Sequence, residues 1–599
     1  MRHSGEPRPG PAHGPWGRSY NSPLVTDPGD ATGETSGGSG GGVTDLESTT
    51  RAVDDLLDRC RVPMNLPGIA LAITNREELL HTVNAGVRDV ASGSPVEPET
   101  LFEIGSISKS FTALLVLQLR EEGLLDLHAP VTDVLPWFTV KPKHAPITAH
   151  HLLTHTAGLV QGSEMTPAAV SEVWRLRKVE VGGPPGWGFH YSNHGYKTLG
   201  LMVQRLTGRP FGDVLRERIL EPLGMNHTEP VIARRLAPRM ATGYEALLDD
   251  RPLGPGGRLA AAGLFETDTA DGSIASTAED MAVYLRMLLN GGAGPDGPIV
   301  SPEAFEQMIT PLVPSSDPPY HEAAYGYGLN VQETDGRRRV GHGGGMVGYS
   351  AHIDLDLDAG IGVVVLTNGP WSPWPLADFT LRAACAAVTG GAAPDPPELD
   401  YAKVPDAERY AGTYVATDGS GSSLTIRVEG DSLVLSEGEH VVKLVHTDDP
   451  GAFVAAEGSI GVFALRFERR GDDVVGVVHG PGRFLREGFA DTEHTEADDE
   501  TEAGDSLPMY WRAFVGHYRA HNPWFTNFRV VARDGHMVLI APQGVEAPEG
   551  EAVLLQRRDG AFQVGEAATP ERIRFDTLVD GVAIRARLSG GDYYRTFTP

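Results

Sequence analysis

Three short clusters in this chain carry side chains that together could break an acyl bond. The first is Ser106-Ile107-Ser108-Lys109. It opens a segment, Ser108 to Glu122, that reads as a helix stopped by Gly123. Residues three apart share a helix face, so Lys109 can reach Ser106. A serine hydroxyl attacks poorly until a base takes its proton. A buried amine can be that base when desolvation and nearby dipoles disfavour its charge. The helix start adds N–H groups and a positive dipole end beside the nucleophile. Taken alone, the cluster also fits an exposed helix start with a capping serine, but no second Ser-x-x-Lys occurs in the chain.

The second cluster is Tyr191-Ser192-Asn193, after the irregular Gly186-Trp-Gly-Phe-His190 and before a helix. A phenolic oxygen near an amine can pass a proton to a leaving group. An Asn side chain can donate to a substrate carbonyl and hold Lys109. The plainer reading has Asn193 capping the helix and Tyr191 packing. The third cluster is Gly341-His-Gly-Gly-Gly345, placed just after a strand. Successive glycines let backbone approach a ligand closely. The Gly345 N–H could pair with that of Ser106 as an oxyanion hole. A glycine-rich turn is the alternative.

The elements that must position these groups can be read from periodicity. A helix is expected from Asp45 to Cys60, a buried strand at Gly68–Thr74 and a hairpin partner at Glu78 to Val83. Helices follow at Ser192 to Leu206 and Thr277 to Leu289. Strands return at Arg338 to Gly341, Tyr349 to Asp354 and Ile361 to Thr367, and Leu376 to Val388 closes the unit as a helix. Strands at both ends with helices between predict one sheet built from distant parts of the chain, with a helical insertion.

Beyond a Gly/Pro linker at Gly390 to Glu398, short β-type runs alternate with turns. Tyr410-Ala-Gly-Thr-Tyr414 parallels Phe514-Val-Gly-His-Tyr518, and Leu424 to Asp431 parallels Phe528 to Gly535. This is one small barrel duplicated. The organisation expected is a disordered tail at 1–44, a hydrolase domain at 45–390, a barrel at 400–490, an acidic linker at 491–505 and a second barrel at 506–599.

With 599 residues and a formal charge of −30, the chain lacks the basic footprint of a nucleic-acid binder. Anionic membranes would repel it. Two cysteines, Cys60 and Cys385, are too few for a disulfide framework or a Cys-based zinc site. Residues 1–44 offer no signal-peptide core, and no run reaches the roughly 18 apolar residues of a spanning helix. A cytoplasmic protein with no membrane partner is expected.

The three clusters, in this order, resemble the serine β-lactamase and penicillin-binding-protein superfamily, nearest its class C branch. His151-Leu-Leu-Thr-His-Thr-Ala-Gly-Leu159, Tyr191-Ser-Asn-His-Gly-Tyr196 and Leu220-Glu-Pro-Leu-Gly-Met225 are similar to further stretches of that family. The resemblance covers about Asp45 to Val388. It implies an α/β two-lobe domain, an antiparallel sheet flanked by helices plus an all-α lobe, with the site between them. It further implies Ser106 as acylated nucleophile, Lys109 as its base and Tyr191 as the acid/base for the leaving group. Asn193 would orient substrate, and His342, Gly344 and Gly345 would line the site. His150, His151 and His155 cluster, but the family loop implies scaffold roles for the last two, and no metal or other cofactor is expected.

One departure bears on substrate. Class C enzymes usually carry Lys-Thr-Gly where this chain has His342-Gly-Gly344. A neutral imidazole gives less charge for a β-lactam carboxylate. His-x-Gly is found in related D-aminopeptidases and esterases, and a hydrolase domain followed by two barrels is similar to three-domain D-aminopeptidases. In those a barrel loop shapes the site, which makes His521-Asn-Pro-Trp-Phe525 the candidate loop. The expected function is cleavage of a small amide, short peptide or ester through a Ser106 acyl-enzyme. The alternatives are a peptidoglycan-directed DD-peptidase or penicillin-binding protein, a weak β-lactamase, and a non-catalytic protein that kept the fold.

Overall fold

The computed structural model describes residues 45–596 except 62, 142–144, 163–167, 180–181, 316–322, 335, 438–439, 448–450, 456–458, 490–507, 543–549 and 567–568. The expected 1–44 tail and 491–505 linker lie outside the described residues.

The first helix, Leu46–Cys60, begins where the Asp45 carboxylate accepts the Ser48 N–H at 2.7 Å, a side-chain cap on an orphan donor. The next strand, Gly68–Thr74, is buried along its whole length. Its alternate residues serve two cores: Ile69, Leu71 and Ile73 face one, Ala70 and Ala72 the other. Ile361–Thr367 behaves the same way, with Val363 and Val365 on one side and Val364 and Leu366 on the other. These two strands pair antiparallel, Ile69 opposite Thr367. They join distant parts of the chain into one sheet, as the sequence predicted, and that sheet has nine strands.

Helices cover both faces. Leu46–Cys60 and Trp374–Thr389 pack on one face, where Cys60 and Cys385 are buried small hydrophobes whose thiols burial pushes up to about 12. Ser108–Glu121 and Ala278–Leu289 lie in the other core. The Ser108–Glu121 helix is buried nearly all round, as a helix caught between a sheet and a helical lobe must be. That placement puts its first turn at the seam between the lobes.

Two elements differ from their expected form. The hairpin partner runs Leu79–Asp89, longer than Glu78 to Val83, because its residues are half-buried and carry no clean alternation. The Gly341–Gly345 run does not follow a strand but lies inside one, Arg337–Met346, paired residue by residue from His342↔Ile353 to Gly345↔Ser350. The glycines read as a turn because glycine is depleted in strands. Here they are needed for a close approach described below.

The C-terminal region forms two closed eight-stranded barrels, with strands spanning Gly412 to Arg486 and Gly516 to Arg595. The parallel between the 410–414 and 514–518 stretches is physical. Tyr414 Oη donates to the Tyr410 carbonyl at 2.6 Å, and Tyr518 Oη to the Phe514 carbonyl at 2.7 Å. Among the described residues no helix is long and apolar enough to cross a membrane.

Candidate active site

Gly105 sits at φ +51°, a left-handed conformation that favours glycine. It turns the chain from a short strand into a single 3-10 turn, Gly105–Ile107, that leads into the Ser108–Glu121 helix. Ser106 is therefore presented at the helix entrance. Lys109 follows one turn later, fully buried, with Nζ 2.8 Å from Ser106 Oγ. Lys109 Nζ also donates to the Asp271 carbonyl at 3.0 Å. The Tyr191 ring lies with its centroid 4.8 Å from the amine, and Tyr196 at 5.7 Å. The Ser106 hydroxyl and the Tyr191 ring thus both lie against the Lys109 amine.

The helix carrying Asn193 is capped by Ser192, not by Asn193: Ser192 Oγ accepts the Gly195 N–H at 3.3 Å. Asn193 is the first helical residue, and its N–H donates to the Gln161 carbonyl at 2.8 Å. Tyr191 is stacked on His155 at 4.3 Å between centroids. His155 Nδ1 accepts the Ser192 N–H at 2.9 Å, which places its proton on Nε2. Burial first, and the Lys109 charge second, hold this imidazole well below the usual histidine range. It is a neutral aromatic wedge behind Tyr191, in a box completed by Phe189 and Tyr325. His150 bonds Tyr327 Oη at 2.8 Å and His151 bonds Thr148 Oγ1 at 2.9 Å.

The Arg337–Met346 strand lies beside the nucleophile turn. Its ladder with the Asn330–Thr334 strand ends at Gly341, and beyond it the strand edge meets the Gly105 turn. A Cβ on Gly344 would fall 2.0 Å from the Ile104 carbonyl oxygen, and a Cβ on Gly105 would fall 2.7 Å from the Gly345 nitrogen. The Gly345 backbone therefore lies against the residue preceding the nucleophile. His342 and Gly344, two apart, face the same side. His342 Nε2 lies 2.9 Å from Tyr325 Oη while Nδ1 faces the Gly343 carbonyl, so the phenol donates and Nδ1 carries the proton. Burial, then Lys109, pushes His342 down to about 3, so it stays neutral.

Several groups around the site were not foreseen. Asp271 takes the lysine's second hydrogen bond through its carbonyl, while its carboxylate lies 3.8 Å from Lys197. Lys197 pairs with Glu172, and both are buried. The signal available was Lys197 itself, a scarce residue type one helical turn past Asn193. The 521–525 loop meets the hydrolase domain through Trp524, whose ring lies 6.5 Å from that of Phe265. Glu571 of the second barrel also reaches this region, accepting the Gln161 N–H at 2.7 Å and lying 3.1 Å from His190 Nε2.

The fold and the likeness to known proteins define the class: the β-lactamase and penicillin-binding-protein superfamily, whose members are generally serine hydrolases. The Beta-lactamase family model matches residues 51–386, and the chain belongs to that family. It is similar to "Penicillin-binding protein 4" of Amycolatopsis lactamdurans, 30% identical over 52% of this chain and 83% of that protein. It is similar to "Protein flp" of Staphylococcus aureus (strain MW2), 26% identical over 53% of this chain and 62% of the relative. Among solved structures it resembles the octameric penicillin-binding protein homologue from Pyrococcus abyssi. That likeness has a TM-score of 0.54 at 26% identity, over 73% of this chain and all of that one.

Proposed function

We propose that this protein is a serine hydrolase of small amide, short peptide or ester substrates, working through an acyl-enzyme on Ser106. The observation that carries the reading is the 2.8 Å contact between Lys109 Nζ and Ser106 Oγ inside a fully buried amine site. Lys109 Nζ is within hydrogen-bonding reach to take the serine proton. Ser106 Oγ then bonds to the substrate carbonyl carbon. The oxyanion is held by the N–H groups of Ser106 and Gly345. Tyr191 returns a proton to the leaving amine or alkoxide, and water, activated by the same groups, frees the enzyme. Asn193 orients the substrate carbonyl.

His342 supports the choice of substrate class. It stands at the motif position where class C enzymes usually carry the lysine of Lys-Thr-Gly, and burial keeps it neutral. A substrate without a carboxylate at that end fits such a wall.

A second reading, a DD-peptidase or weak β-lactamase, is favoured by the relative named as a penicillin-binding protein. One experiment separates them. The protein is incubated with a panel of esters, D-amino-acid amides and β-lactams, and its intact mass is read. Adducts from esters or amides that turn over, absent in Ser106→Ala, are expected. A stable penicilloyl adduct with no ester or amide turnover would favour the second reading. Unchanged turnover in Ser106→Ala would sink both.

A further inference from the structure

The second barrel fastens to the hydrolase domain at the 247–258 hairpin loop. There Arg519 pairs with Asp249 at 2.6 Å and Arg529 with Asp250 at 3.1 Å. It also touches the domain through Glu571, and this contact is of a different kind. Glu571 immediately precedes the barrel strand Arg572–Val579. Its N–H donates to Thr569 Oγ1 at 2.9 Å, and Ser589 Oγ donates to Oε2, so the barrel fixes the side chain from its own side. The other oxygen, Oε1, faces the hydrolase domain. It accepts the Gln161 N–H at 2.7 Å and lies 3.1 Å from His190 Nε2.

Those two donors lie on separate segments, and both segments lead to the site. The Gln161 carbonyl accepts the Asn193 N–H at 2.8 Å, and the His190 N–H donates to the His155 carbonyl at 2.8 Å. His155 in turn takes the Ser192 N–H and stacks on Tyr191. A single carboxylate oxygen therefore ties together the 155–161 and 190–193 segments that hold Tyr191 and Asn193. Burial alone would raise this carboxyl. The His190 contact, with Ser589 and Gln161, outweighs burial and holds it below the usual carboxylate range. A half-buried carboxylate whose oxygens are filled by three donors is a rigid anchor, whereas an unfilled one would be costly.

We propose that Glu571 is a positioning residue for catalysis, through which the second barrel holds the Tyr191–Asn193 segment in register with Ser106. The hydrolase site is then complete only with its own barrel docked. This rests on the serine-hydrolase reading above, because displacement of a reacting group by about 1 Å can cost about 10²-fold in rate.

The test uses the full chain with Glu571→Ala and Glu571→Gln. A small activated ester reports turnover, and hydrogen–deuterium exchange reports peptides covering 155–161 and 186–193. Glu571→Ala is expected to lower kcat by about 10- to 100-fold with KM within about threefold. Both peptides should lose protection while the rest of the hydrolase domain keeps its own. Glu571→Gln keeps an acceptor oxygen for both donors and should recover most of the kcat and the protection. Wild-type kcat in Glu571→Ala overturns the proposal, as does a kcat loss with unchanged exchange in both peptides. Equal losses in the two variants also overturn it, because they would assign the effect to charge. If wild type turns over nothing, the hydrolase reading fails separately. The exchange arm then decides the clamp alone, with unchanged protection in Glu571→Ala refuting it and lost protection supporting it.

Discussion

Gly344 and Ile104 are pressed together so closely that a Cβ on the glycine would sit 2.0 Å from the isoleucine carbonyl oxygen. That carbonyl belongs to a backbone it cannot leave, since Ile104 N–H is bonded to the Ile274 carbonyl at 3.0 Å and Gly105 is held at φ +51°. A methyl group there must push the site strand off the nucleophile turn. Gly344→Ala is expected to lower ester turnover by at least about 10²-fold, the scale set by losing one oxyanion donor. Overpacking should also cost about 1–3 kcal/mol of stability. Kinetics and thermal unfolding of the purified variant check both. Wild-type turnover would show that the strand and the turn need not touch.

Lys109 and Ser106 make a second pair whose separation can be tested. Lys109→Met keeps the apolar stem and removes the amine. Loss of a general base costs about 10²–10⁴-fold, so acylation of Ser106 should fall by that range. Stopped-flow measurement of the burst phase with a chromogenic ester reads this step directly. A burst of wild-type rate in Lys109→Met would mean that another group takes the proton.

Much of this arrangement could be read from the chain, and the rest could not for definable reasons. Strands such as Gly68–Thr74 and Ile361–Thr367 were legible because burial on both faces leaves an unbroken apolar run. The Ser-x-x-Lys pair was legible because its partners are one helical turn apart. Gly341–Gly345 left a turn open beside a strand edge that lines the site, since the same glycines serve a turn or a close approach. Only Ile104, distant in sequence, decides between them. Asp271 acts through its backbone carbonyl, which any residue type could supply. Glu571 meets Gln161 across 410 positions, and no local pattern marks such a contact.

Tyr191 is held by its ring. The ring stacks on His155 at 4.3 Å, so Tyr191→Phe should preserve packing and the unfolding temperature. Only the proton carrier is lost. Turnover of a substrate with a poor leaving group should fall by about 10²–10⁴-fold. An activated ester, whose leaving group needs no proton, should be affected much less. Equal losses on both substrates, measured as kcat/KM, would remove Tyr191 from the leaving-group step.

Buried titratable groups behind the site give stability a pH dependence with opposite signs in two windows. Glu103 is 4% exposed, and burial raises its carboxyl from 4.5 to about 8. The folded state therefore keeps a proton that the unfolded chain releases. This contribution is full below about pH 4.5 and is lost as pH rises toward 8, by at most about 1.4 kcal/mol per pH unit. His352 is shifted the other way, held down to about 3 first by burial, with the Arg339 guanidinium adding to it. The unfolded chain then binds the proton that the fold refuses. Its contribution is present above about pH 6.5 and is lost as pH falls toward 3. Glu103→Gln should gain on wild type in unfolding midpoint as pH rises from about 5 to 8, and His352→Gln should gain as pH falls below about 6.5. A gap between Glu103→Gln and wild type that stays constant from pH 5 to 8 would mean that Glu103 ionises in the folded protein as freely as in the unfolded chain.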